Sequence, residues 1–96
     1  MNDKELYKQK FQAQLDEWKA EIDKLKAKSM GAKADVQMEM NSLIADIEAK
    51  LKAANEKLKE LSEAGEGAWE SVKGGVESAW SSLKKSMHDA VAKFRD

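Results

Sequence analysis

The sequence predicts an all-α protein, with a long amphipathic helix followed by a shorter C-terminal one, paired as a coiled coil or helical hairpin. Three observations carry the prediction. Its 96 residues contain no proline and are rich in Ala, Lys, Glu and Leu, a helix-forming composition without a strong breaker. Apolar residues return at spacings of three and four through most of the chain. The last third is an eleven-residue repeat: AWESVKGGVES (68–78), AWSSLKKSMHD (79–89) and a truncated AVAKFRD (90–96). Eleven residues make close to three helical turns, so each column of the repeat returns to nearly the same side of a helix.

The first helix starts at the N-terminus, where Asn2 and Glu5 have the spacing of a capping box. An apolar stripe then runs through Tyr7, Phe11, Leu15, Trp18, Ile22 and Leu25 in heptad spacing. It weakens at Ser29 and Ala32, and resumes as Val36, Met40, Leu43, Ile47, Leu51, Ala54, Leu58 and Leu61, mostly in elevens. Opposite charges at helical spacing lie between these positions: Glu21/Lys24, Asp46/Lys50, Glu48/Lys52 and Glu56/Lys59. Each pair adds a few tenths of a kcal/mol and marks a solvated face.

Composition shifts near Ser62, beyond which charge thins and serine and glycine increase. Gly65 suits the position just past a helix C-terminus, so a break at 64–67 is expected. Gly31 is a weaker candidate, since its neighbourhood has no proline, no turn cluster and no strong N-cap. The expected division is therefore a charged coiled-coil helix over 1–63, a break or kink at 64–67, and a Trp-bearing helix over 68–96. A second break at Gly31 would give the alternative, a compact three-helix bundle.

The repeat places Trp69, Val72, Val76, Trp80, Leu83, Met87, Val91 and Phe94 on about a third of the helix circumference. At roughly 1.5–3 kcal/mol each, burying these side chains is worth at most about 12–24 kcal/mol. Such a face in water would aggregate, so something covers it. The first candidate is another helix, from residues 1–61 or from a second copy. The alternative is a membrane surface, because the polar side is Ser/Gly-rich as in helices that sense loosely packed lipid. Only Lys73, Lys84 and Arg95 form a basic column, so attraction to anionic lipid would be weak.

Net charge is −1, which argues against nucleic acid as a partner. Cysteine is absent, and His88, the single histidine, lies on a polar helix face. No metal site, no cofactor and no catalytic set is expected. Met40 and Met87 fall on the apolar stripes and read as core; Met30 and Met38 do not. The N-terminus has no apolar signal region and no run reaches transmembrane length, so a cytoplasmic protein is expected, with the membrane periphery as its alternative.

Two stretches, QLDEWKAEIDKLKAK (14–28) and AWESVKGGVESAWSSLK (68–84), resemble a family of small bacterial coiled-coil stress-response proteins. The resemblance implies a helical, non-enzymatic protein with a role in stress tolerance and no catalytic residues. In that family Ala, Lys or Asp stand where this chain has Gly31, Gly65 and Gly67, so these glycines are local departures. The eleven-residue repeats also look like those of apolipoproteins. The expected function is self-association or scaffolding; the alternative is lipid-surface binding through 62–96.

Overall fold

The computed structural model describes residues 3–65 and 67–94. Within them the fold consists of three α-helices, α1 (Asp3–Met30), α2 (Ala34–Glu63) and α3 (Trp69–Lys93). They form a rod of 51 × 19 × 18 Å. At 1.5 Å per residue the 30-residue α2 is about 45 Å long and the 25-residue α3 about 37 Å, so all three lie along the rod.

Side-chain pairs fix the directions. α1 and α2 are antiparallel: Lys8 Nζ donates to Ser62 Oγ (2.8 Å) at one end, and Lys26 pairs with Glu48 (2.9 Å) towards the other. α2 and α3 are also antiparallel, with Lys50 donating to Ser86 and Lys93 paired with Glu39. α1 and α3 therefore run parallel, and Tyr7 of α1 meets Trp69 and Glu77 of α3. The all-α class is as expected; α2 ends at Glu63 and α3 begins at Trp69.

The single helix over 1–63 is not what forms. The chain turns at 31–33, so the arrangement is the three-helix alternative. The turn leaves little trace in the sequence. No described glycine has positive φ, and Lys33 at the N-cap of α2 is extended (φ −63°, ψ 155°) without a side-chain cap. The gain comes from tertiary packing, since folding back lets one chain cover its own stripes. The second connection also ends differently from expectation. α2 stops because Ala64 turns extended (φ −71°, ψ 141°), not because Gly65 adopts a left-handed cap. Lys4 reaches across and its ammonium donates to the Ala64 carbonyl, placing a cation at the negative end of α2. The Asn2 cap and Arg95 of the basic column lie outside the described residues.

The core follows the heptads more closely than the elevens. In α1, Leu15, Trp18, Ile22, Leu25 and Ser29 are buried and Phe11 is half-buried. In α2 the buried residues are Met40, Ile44, Ile47, Ala54, Leu58 and Leu61. Leu43 and Leu51 are only half-buried, and Val36 is 38% exposed beside the turn. Substituting Ile44 for Leu43 converts the expected spacing into an unbroken four-three heptad from Met40 to Leu61, with Leu51 in phase. α2 is the central helix and packs on both neighbours, which is why Leu43, off that stripe, is still partly covered. Among the described residues no helix is long and apolar enough to cross a membrane.

Candidate interaction surface

The C-terminal apolar face is spent inside the bundle. Val76, Trp80, Leu83, Met87 and Ala90 are buried. Trp69, Val72, Val91 and Phe94 are half-buried because they lie towards the ends of the rod. The spacing explains the mixture of repeats: 69, 72, 76 and 80 step by three, four and four, and from Trp80 to Phe94 the steps are three and four in alternation. One eleven-residue unit is thus inserted into a heptad helix, a stutter that locally unwinds the packing. Of the expected interaction residues, the middle of the set is core and the ends form its margin.

Aromatic rings fill the space between α1 and α3. Phe11 meets Trp80 edge-on (4.5 Å between centroids, 77°) and lies tilted against Tyr7 (4.6 Å, 55°). Trp18 approaches Trp80 at 5.8 Å, and Tyr7 approaches Trp69 at 6.0 Å. Rings this large keep the two backbones apart while giving both helices apolar contact. The Trp80 Nε1–H is buried without a hydrogen-bond partner. The cluster joins Trp18 of the N-terminal heptad stripe to Trp80 of the C-terminal repeat.

At the edge of this cluster the chemistry turns polar. The Tyr7 hydroxyl donates to Glu77 Oε1 (3.0 Å), and the Lys73 ammonium sits over both the Tyr7 and Trp69 rings, 5.3 and 5.5 Å from their centroids. Burial first, and then the Glu77 carboxylate beside it, hold the phenol above its ordinary pKa. Lys73, expected as part of a basic column, is thus engaged with aromatic faces.

At the other end, beside the α1–α2 turn, large apolar side chains stand exposed among lysines. Met30 and Met38 are 80% and 74% exposed. Val36, Met40 and Phe94 line a shallow groove with Lys28 and Lys33. Just inside it, the buried Ser29 hydroxyl donates to Asn41 Oδ1 (2.7 Å), a polar pair that locks α1 against α2. Sequence reading registered Ser29 only as a weak point in the stripe.

The charged surface is laced by exposed pairs. Glu21 pairs with Lys24 (3.5 Å) as its spacing suggested, but Glu48 reaches across to Lys26 instead of Lys52. The bond to Glu48, ahead of its charge, raises the pKa of Lys26. His88 is exposed, and among the described residues no group of three or more His, Cys, Asp or Glu side chains comes together as a metal set. Compared with known family models, curated proteins and solved structures, the chain matches none.

Proposed function

We propose that this protein is a non-enzymatic helical scaffold that acts by pairing helices, first of all with copies of itself. The observation that carries the reading is how the chain covers its apolar stripes: Val76, Trp80, Leu83 and Met87 are buried by other helices, while Met30, Val36 and Met38 stay exposed at one end for a second copy. A face shaped by heptads and one stutter is complementary to other helices of the same kind. The resemblance of 14–28 and 68–84 to small bacterial stress-response proteins suggests the setting, protection under stress in the cytoplasm. Sedimentation equilibrium from micromolar to millimolar concentration tests the reading. A concentration-dependent mass above one chain is expected, and a monomer throughout would overturn it.

A second reading, binding to a lipid surface, is favoured by Gly74 and Gly75. Both are exposed within α3, and an added methyl group would meet nothing within 4 Å at Gly74 and only the Lys57 side chain, at 3.8 Å, at Gly75. Packing does not require glycine there, yet each weakens the helix by roughly 1 kcal/mol relative to Ala. A helix so weakened can leave the bundle and lay its apolar face on lipid. Small, highly curved vesicles with brominated acyl chains should then quench Trp69 and Trp80, since Trp80 is already in an apolar site before lipid contact; unquenched emission removes this reading.

A further inference from the structure

We propose that the α1–α2 turn is a hinge, and that it straightens so that two copies exchange α1 and form a domain-swapped dimer. The inference deepens the self-association reading and rests on it. Its partner is a second copy of this chain, whose α2–α3 groove accepts α1 just as the first copy's does.

Four observations converge on residues 29–36. The connection is only three residues long (31–33), so straightening it reorders few residues, and exchange of an element through a hinge is a low-cost route to a dimer. Its backbone is ordinary, since no described glycine has positive φ and Lys33 makes no side-chain cap. Apart from Gly31, which disfavours helix by about 1 kcal/mol relative to Ala, no residue in it opposes a helical path as a proline would. The apolar stripe crosses it in phase: Ser29, Ala32, Val36 and Met40 step by three, four and four. That is the spacing α3 carries from Trp69 to Trp80 within one continuous helix. Finally, Val36 lies on that stripe yet is 38% exposed in the folded-back form.

Straightening would join α1 and α2 into one helix over 3–63. Two such helices, antiparallel about a two-fold axis near the former turns, would remake each α1–α2 contact between chains. Ser29 would bond Asn41 of the second copy, and Lys26 would pair with Glu48 of the second copy. What is new is the centre, where Ala32 and Val36 of both copies come together and gain cover. The cost of ordering the hinge is one helical segment containing Gly31, where an added Cβ would meet only the Lys28 carbonyl oxygen, at an ordinary 3.8 Å.

The two forms respond oppositely to substitutions at the hinge. Ala34→Pro places proline at the first position of α2 after an extended residue, which the folded-back turn accepts, whereas proline inside a continuous helix breaks it. Gly31→Ala favours the straight helix twice per dimer, lowering the dissociation constant by about tenfold or more. Val36→Lys is accommodated on the exposed turn but is set against a second copy at the dimer centre.

Sedimentation of the full chain is expected to give a tighter dimer for Gly31→Ala, and a monomer of native helicity for Ala34→Pro and Val36→Lys. Mixing a Lys26→Cys chain with a Glu48→Cys chain, after partial unfolding and refolding together, should let a short bismaleimide, whose reach matches the two long side chains it replaces, link one chain to the other. A wild-type dimer that forms no such cross-link and ignores Ala34→Pro would overturn the exchange while leaving self-association standing. A wild-type chain that stays monomeric at every concentration, with Gly31→Ala monomeric as well, would overturn both.

Discussion

The Phe11 ring points edge-on at the Trp80 indole, 4.5 Å between centroids. This contact joins the first and last helices, which are not adjacent in sequence, and Trp18 approaches the same indole from α1. Trp80 is therefore shared by two rings of one helix while its own N–H is buried unpaired.

That position predicts an asymmetric mutational response. Trp80→Ala should cost about 3–5 kcal/mol, a large part of the roughly 5–15 kcal/mol that stabilises a small domain. Trp80→Phe should cost less than about 1.5 kcal/mol, because removing the unpaired N–H offsets the lost contact area. Urea unfolding followed by circular dichroism measures both. Equal losses for the two variants would mean that the indole N–H has a partner after all.

Gly74 and Gly75 predict a gain. With room for a methyl group at each, the double change to Ala should stabilise α3 by about 1–2 kcal/mol. A rise in melting temperature of about 4–8 °C per kcal/mol follows for a domain of this size. If α3 must be released for lipid contact, the same variant binds curved vesicles less, and this separates stability from binding.

Tyr7 predicts an alkaline limit. Its folded pKa is raised, by desolvation first and by Glu77 second, so the folded chain holds the phenolic proton after the unfolded chain has released it. The unfolded state then binds fewer protons, and stability falls as pH rises above about 10, the ordinary phenol value. Lysines titrate in the same range, so the informative quantity is the difference between wild type and Tyr7→Phe. That difference should be level below about pH 9 and move against wild type above about pH 10. A level difference across the whole range would place Tyr7 in water.

Ser29 and Asn41 predict coupling. Ser29 is buried and donates to the exposed Asn41 (2.7 Å). Ser29→Ala leaves the Asn41 amide to water and should cost about 0.5–1.5 kcal/mol. Asn41→Ala leaves a buried hydroxyl and should cost more, with the double variant less than additive. Equal single losses would show that the hydroxyl turns back to a carbonyl of its own helix, as serine in helices can.

Much of this architecture is legible in the sequence because periodicity reports which side of a helix is apolar. Leu15, Trp18, Ile22 and Leu25 are buried as their heptad requires, and Val76, Trp80, Leu83 and Met87 as the repeat requires. Three features are not legible there. The spacing points to Leu43 where Ile44 is buried, because α2 has apolar residues at both positions and only packing between two neighbours decides which turns inward. The turn at 31–33 escaped because it uses no proline, no left-handed residue and no side-chain cap. Local chemistry permits it; burial of the remote stripes selects it. The Tyr7–Glu77–Lys73 contacts could not be read either, since they join residues about seventy positions apart.

The ordinary backbone of the two connections has an evolutionary consequence. No described residue in them occupies a conformation reserved for glycine, so at the described positions the backbone does not require glycine. Drift at 31–33 is free to raise or lower helix propensity by increments of about 1 kcal/mol. In a lineage of such chains, the number of helices would then be a tunable trait, reset by single codons while the apolar stripes stay as they are.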